Sequence, residues 1–216
     1  MKRFVVTIVI CLALLTPGCA GGGAKNKTLA EPAGAAAAVL RVYAYDGDSE
    51  RVFLLPNLGH AFVSLSNTGD AAVELPGLRL LPGEEITIGT WGQRAHWGIW
   101  YNVEARYMSI GHYKGVISLA KPVTADGIAA MADYMRGNDR WTFGENCSKF
   151  AMSLWNSAAG RDALAVDGVV TPNKLKRQIE NYSAAETDRA VEPALPTGFL
   201  DEDGNFIQAV LQEEAE

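Results

Sequence analysis

The stretch that decides the fold is residues 141–160, WTFGENCSKFAMSLWNSAAG. Gly144 provides turn chemistry, and Asn146 is a favoured residue type for a helix N-cap. Beyond Cys147 the apolar or small residues recur at intervals of three and four, as on one face of a helix. They are Phe150, Ala151, Leu154, Trp155 and Ala158. The pattern predicts a helix that begins at Cys147, ends by Gly160 and packs one face against a core.

Cys147 at the start of that helix is a candidate nucleophile. The chain has three cysteines; Cys11 lies in a predicted signal peptide and Cys19 is a predicted lipidation site. An exported protein then offers Cys147 no disulfide partner within the chain. The helix dipole and the unpaired N–H groups of the first turn stabilise a thiolate, and the same groups can bind an oxyanion. The alternative interpretation is a buried small hydrophobic residue.

His60 is the histidine best placed to act as the base. In residues 57–66, NLGHAFVSLS, the residues Ala61, Val63 and Leu65 alternate with His60 and more polar positions, which is strand periodicity. The pattern predicts a strand that begins at His60, at the mouth of a cleft. His96 and His112 lie in polar segments and are predicted to be surface or loop residues.

Glu74 is the candidate for a third catalytic group. Residues 67–69, NTG, match a three-residue hairpin loop that ends on a left-handed glycine. Pairing Ser66 with Asp70 then places Glu74 on the sheet face of His60, where a carboxylate would orient the imidazole. A two-residue loop would put Glu74 on the opposite face and leave it a solvated carboxylate. Asn146 or Thr90 would then be the polar group near His60.

These residues together resemble a known family. Gly59-His-Ala-Phe-Val63 and the later Asn146-Cys-Ser-Lys-Phe-Ala151 are similar to motifs of the circularly permuted papain-like thiol enzymes, which include permuted NlpC-type peptidases and lecithin:retinol acyltransferase relatives. In that branch the histidine precedes the cysteine, as here. The resemblance covers about residues 38–160. It implies that His60, Glu74 and Cys147 form a Cys-His-polar triad on a sheet packed against the cysteine helix.

The remaining pattern predicts an α+β fold with a small antiparallel sheet packed against the cysteine helix. Strands are predicted near residues 39–45, 51–55, 78–81, 84–89 and 116–119, and helices from Thr124 to Met135 and from Thr171 to about Tyr182. The catalytic domain is assigned to residues 38–182, and residues 183–216 to a C-terminal loop and acidic tail. Five aromatic residues between 91 and 107 are interpreted as core, or alternatively as a cleft wall.

The N-terminal residues predict export and lipid anchoring. Lys2 and Arg3 precede an apolar run, so residues 1–18 are expected to be a signal peptide. Thr16-Pro-Gly-Cys19 resembles a bacterial lipobox, with an ordinary cleavage site as the alternative. Residues 19–37 are predicted to be a flexible tether. By resemblance to Gram-negative lipoproteins, alanine after Cys19 favours the outer membrane of a Gram-negative source.

The function that we expect is that of a lipid-anchored cysteine hydrolase of the cell envelope, an amidase or peptidase with peptidoglycan fragments as candidate substrates. A thiol esterase or acyltransferase acting on lipids uses the same triad. The alternative class is a non-catalytic envelope lipoprotein that binds or supports other components. The net charge of −6 argues against a nucleic-acid partner. No cofactor is expected, and a zinc site on Cys147, His60 and a carboxylate is a lesser alternative to the nucleophile.

Overall fold

The computed structural model describes residues 27–47, 51–52, 55–56, 59–92 and 94–210. The predicted signal peptide and the predicted lipidation site Cys19 lie outside these residues. Within the described ranges, no helix is long and apolar enough to cross a membrane.

The fold is mixed α+β. The strands are β1 (Ala38–Tyr45), β2 (Arg51–Val52), β3 (Leu55–Pro56), β4 (His60–Asn67), β5 (Val73–Leu75), β6 (Leu78–Leu80), β7 (Glu85–Trp91), β8 (Gly98–Tyr101), β9 (Ile117–Val123), β10 (Glu186–Thr187), β11 (Gly198–Leu200) and β12 (Phe206–Gln208). In the described part of the chain, eight of them form an antiparallel sheet in the order β10-β9-β1-β4-β7-β8-β11-β12. β2 pairs with β3, and β5 with β6, outside that sheet.

The α-helices in the described ranges are α1 (Val103–Ser109), α2 (Ala125–Gly137), α3 (Cys147–Ala159) and α4 (Pro172–Glu180). The last three begin where the sequence places their caps, whereas α1 was not predicted. The side chains of Thr124, Asn146 and Thr171 accept backbone N–H groups in the first turns of α2, α3 and α4. The prediction that a helix starts at Cys147 is therefore confirmed, as is an antiparallel sheet packed against that helix.

The sheet is covered on both faces, and this places β4 at the centre of the molecule. On one face the apolar side chains of β1, β4 and β7 pack against α3, with Phe150, Leu154 and Trp155 in the shared core. On the other face Phe62 lies with Tyr43 and with Ala105 of α1. Because burying apolar surface on both faces removes β4 from water, the end of β4 that carries His60 is held at a fixed place between α1 and α3.

The predicted hairpin after β4 is wrong. Asn67 donates its side-chain amide to the carbonyl groups of Ala71 and Leu80. These bonds direct the chain out of the main sheet into the separate β5–β6 hairpin. β4 therefore pairs with β7, and Ser66 lies opposite Glu85 instead of Asp70.

The described ends of the chain also differ from the predicted boundaries. Residues 183–216 were expected to be loop and tail, but β10, β11 and β12 extend the main sheet at both edges. In the predicted tether, Lys27 bridges to Tyr182 and the Ala30 backbone N–H bonds to the Asp162 carboxylate at 3.1 Å. The folded domain therefore extends beyond residues 38–182 toward both the N-terminus and the C-terminus.

Candidate active site

Cys147 occupies the first turn of α3, with its thiol partly buried. The Asn146 side-chain oxygen accepts the N–H groups of Ser148 and Lys149, each at 3.0 Å. These two donors, which the sequence suggested for an oxyanion, are therefore used by the cap. The Cys147 backbone N–H is one of the first-turn donors that the helix itself does not pair, so it is the donor that we assign to an oxyanion.

His60 is the first residue of β4 and is 8% exposed. Gly59 precedes it with a φ of 77°, and a Cβ there would lie 2.1 Å from the Tyr45 carbonyl oxygen. Only glycine combines this left-handed backbone with so close an approach. The turn at Gly59 therefore fixes where β4 begins, and with it the position of the imidazole.

Cys147 and His60 lie close enough for each to shift the pKa of the other. Burial alone would lower the pKa of His60, but the Cys147 charge, a hydrogen bond to Cys147 and the Glu104 carboxylate raise that pKa to about 9. Burial likewise raises the pKa of the Cys147 thiol, but the His60 charge, a His60 hydrogen bond and the Ala61 backbone N–H bring the net pKa below its ordinary 9.0. Each group thus stabilises the charged form of the other.

Glu104 is the group that completes the arrangement. It is fully buried, and its Oε1 lies 3.0 Å from His60 Nε2 and accepts the Trp91 indole N–H at 2.8 Å. Its Oε2 accepts the Thr87 hydroxyl at 3.2 Å. Because Nε2 faces the carboxylate, Nδ1 is the ring nitrogen left for the sulfur. A buried carboxylate with these donors holds the ring orientation and stabilises the imidazolium.

One strand, a C-terminal loop segment and a helix cap hold Glu104 in place. Asn102, the N-cap of α1, has a φ of 60°, accepts the Thr87 backbone N–H at 2.9 Å and donates to the Leu195 carbonyl at 2.8 Å. The Thr87 hydroxyl also accepts the Ala105 backbone N–H. β7 and the C-terminal segment therefore fix the first turn of α1, from which Glu104 points at His60.

The structure does not bring Glu74 to His60. Glu74 lies on β5, its side chain is 71% exposed, and it pairs with Arg79 at 3.2 Å. The reason is the excursion of β5 and β6 out of the main sheet, which removes the predicted register. Among the described residues, the two alternative residues form no hydrogen bond to His60 either: the Asn146 side chain caps α3 and bonds to the Val170 carbonyl, and the buried Thr90 hydroxyl has no hydrogen-bond partner.

Sequence reasoning missed Glu104, although one signal was present. Glu104 is the one charged residue in Gly98–Ala105, GIWYNVEA. A lone carboxylate in an apolar stretch is typical of a buried, paired group, because an unpaired buried charge is strongly unfavourable.

The other histidines lie outside the Cys147–His60 pair. His96 lies in the loop between β7 and β8, as predicted, where it is partly buried, bonds to Asp139 at 2.8 Å and stacks on Phe199. His112 is exposed beside the Tyr107 ring. Among the described residues, no group of three or more His, Cys, Asp or Glu side chains converges as metal ligands would.

The aromatic segment divides between core and site. Trp100 and Tyr101 are buried in the core, whereas the Trp91 ring lies 4.4 Å from the His60 ring, centroid to centroid. Tyr113 stacks near His60 at 6.1 Å. The core interpretation is therefore confirmed for Trp100 and Tyr101, whereas Trp91 lies beside the imidazole of the candidate site.

Comparisons with protein-family models, with curated proteins and with solved structures find no significant match.

Proposed function

We propose that this chain is an exported thiol hydrolase of the permuted papain-like class, with Cys147 as nucleophile, His60 as acid and base, and Glu104 as the residue that orients His60. The observation that carries the proposal is the buried hydrogen bond between the His60 imidazole and the Glu104 carboxylate, in a site where the charges of His60 and Cys147 stabilise each other. A buried core cysteine needs no such partners. The order His60 before Cys147 and the antiparallel sheet support the assignment to the permuted class.

The mechanism follows from the ion pair. The Cys147 thiolate attacks the substrate carbonyl carbon, and the Cys147 backbone N–H stabilises the oxyanion that forms. His60 gives its proton to the leaving group as the carbon–heteroatom bond breaks, which leaves an acyl group on the sulfur. Neutral His60 then takes a proton from water, the hydroxide attacks the thioester, and the thiolate is released with the acid product.

The substrate class that we propose is an amide, with peptides of the cell wall favoured by the family resemblance and by the predicted export. Esters, thioesters and acyl transfer to a second acceptor require the same nucleophile and base. Incubation of the purified full chain with peptidoglycan fragments and with lipid esters, followed by mass spectrometry, distinguishes these substrates.

The catalytic proposal is tested by mutating the pair. We expect Cys147→Ala, His60→Ala and the double variant to lose activity to a similar floor, because a nucleophile and its base act as a unit. Circular dichroism checks that each variant is folded. If His60→Ala retains most of the activity, or if Cys147 in the native chain resists alkylation, the hydrolase proposal fails and a binding module becomes the better interpretation.

We also propose that Cys19 carries a lipid that anchors the protein to the envelope. The expected result is that Cys19→Ser leaves the membrane fraction or stays unprocessed, as read by fractionation and intact mass. Recovery of the unaltered chain as a wholly soluble protein without a lipid mass increment would contradict the anchor.

A further inference from the structure

Arg94 is a cation beside the candidate active site that the catalytic mechanism does not use. Its guanidinium carbon lies 4.6 Å from the centre of the Trp91 ring and 5.5 Å from that of Tyr107. Trp91 in turn contacts His60 and donates to Glu104. Arg94 is thus one aromatic ring away from the imidazole of the proposed ion pair.

Within the described ranges, Arg94 has aromatic and hydroxyl partners but not the carboxylate partner that comparable cations of this protein have. Its Nη2 donates to the Tyr107 hydroxyl, and its buried Nε has no acceptor among the described residues. No carboxylate in the described ranges pairs with it. By contrast, the partly buried cations Arg41, Lys121 and Lys176 each pair with a carboxylate: Glu186, Asp162 and Asp46 respectively. A buried N–H group without an acceptor is unfavourable, so a ligand that supplies the acceptor gains binding free energy.

Aromatic rings connect Arg94 to the imidazole. The Tyr113 ring centre lies 6.1 Å from that of His60 and 6.2 Å from that of Tyr107, whose hydroxyl accepts from Arg94. In agreement with this placement, burial raises the pKa of Tyr113, the charges of Glu104 and Cys147 raise it further, and the charge of Arg94 lowers it. The charges of Cys147, His60 and Glu104 sum to −1, so a nearby cation such as Arg94 would favour the approach of a second anion to the sulfur.

We propose that Arg94 is the specificity-determining residue of the site and binds a carboxylate that the substrate carries close to its scissile carbonyl. The inference rests on the proposed hydrolase function and narrows it to acyl substrates such as amino acid or peptide derivatives with a free carboxylate. The planar guanidinium pairs with a carboxylate through two parallel N–H···O bonds, and stacking on Trp91 and Tyr107 orients that fork.

The test compares two alkylating agents that differ in charge and little in shape. Iodoacetate carries a carboxylate on the carbon that the sulfur attacks, and iodoacetamide carries a neutral amide there. In both reactions the S–C bond forms as the C–I bond breaks and iodide leaves. Alkylation of the full chain is read on the Cys147 peptide by mass spectrometry, which separates it from the peptides of Cys11 and Cys19.

We expect Arg94→Gln to lower the iodoacetate-to-iodoacetamide rate ratio by about fivefold, and Arg94→Lys to lower it less, because a partly exposed charge pair is worth a modest factor. The iodoacetamide rate should stay within about twofold in all variants. Arg79→Gln is the matched control, since Arg79 is 68% exposed on the β5–β6 hairpin. An unchanged ratio in Arg94→Gln overturns the proposal. So does an equal fall of both rates, which would indicate that Arg94 only supports the aromatic rings.

A binding measurement separates this inference from the hydrolase proposal. In Cys147→Ala, tryptophan fluorescence is titrated with N-acetylglycine and with the neutral N-acetylglycinamide. We expect N-acetylglycine, and not N-acetylglycinamide, to quench the fluorescence saturably. This quenching should disappear in the double variant that carries both Cys147→Ala and Arg94→Gln. If Cys147 is inert to alkylation but this binding depends on Arg94, the hydrolase proposal fails and the carboxylate site stands. If the thiolate is reactive but the substitution of Arg94 changes neither the alkylation rate ratio nor the binding, only the proposal of a carboxylate site fails.

Discussion

Glu104 and Glu74 differ in burial and in bonding partner, the two properties that determine whether a carboxylate can act on His60. Glu104 is fully buried and bonded to the imidazole, whereas Glu74 is exposed and paired with Arg79. We expect Glu104→Gln to lower kcat/KM on the order of 100-fold, because the amide keeps the shape but no longer stabilises the imidazolium. Glu74→Gln is the matched control and should change kcat/KM by less than about twofold. Equal effects of the two substitutions would contradict the assignment of Glu104.

The ion pair sets two different pH limits. Below the Cys147 pKa, which lies under the ordinary 9.0, the sulfur carries its proton and cannot attack. Above the pKa of His60, about 9, the imidazolium loses the proton that the leaving group needs. We therefore expect turnover to fall on both sides, with the alkaline fall near pH 9. Alkylation by iodoacetamide needs only the thiolate, so it should rise through the acid limit and not fall above pH 9.

The measurement is the pair of pH profiles on the same preparation. An alkylation midpoint at or above 9.0 would show that the thiol is not activated. In Glu104→Gln the alkaline limit of turnover should move to lower pH, because the carboxylate is one of the groups that raise the His60 pKa.

At the scale of elements, local patterns were predictable and long-range pairings were not. The start of α3 depends on Asn146 and on a helical period within residues 147–158, all local in the chain, and that prediction is confirmed. The partner of β4 depends on the Asn67 side-chain bonds to Ala71 and Leu80, which no turn motif encodes. Two of the three residues of the candidate site, Cys147 and His60, could thus be found from the sequence. Glu104 was missed. Its isolation in an apolar stretch indicated a buried, paired carboxylate, but its approach to His60 depends on the long-range pairing of β4 with β7.

Gly89 on β7 tests how closely the elements of the site must approach. A Cβ at Gly89 would lie 2.0 Å from Glu104 Oε1, well inside contact distance. We expect Gly89→Ala to push the carboxylate off His60 and to lower kcat/KM about as much as Glu104→Gln does. Gly137→Ala is the control, since nothing lies within 4 Å of a Cβ there. An active Gly89→Ala variant with an unshifted pH profile would show that Glu104 has room to move.

At the scale of the whole molecule, the C-terminal strands complete the sheet that carries the site. β11 pairs with β8, and Phe199 lies 4.8 Å from the Trp100 ring and 5.1 Å from His96. Leu200 is buried in the main core. The segment was expected to be a tail because its strands are only three residues long and carry little periodicity. Their place in the sheet comes from a partner strand far away in the chain.

A pair of truncations tests whether this segment belongs to the domain. A chain that ends at Thr197 loses β11 and β12, whereas one that ends at Val210 keeps every described strand. Burial of a leucine or phenylalanine side chain contributes about 1.5–3 kcal/mol, so we expect the first truncation to lower the free energy of unfolding by more than about 2 kcal/mol. It should also aggregate more readily, since the edge of β8 becomes unpaired. Urea unfolding followed by circular dichroism measures the difference. If the two truncated chains unfold at the same urea concentration, the domain ends before Gly198 and the two strands only lie against it.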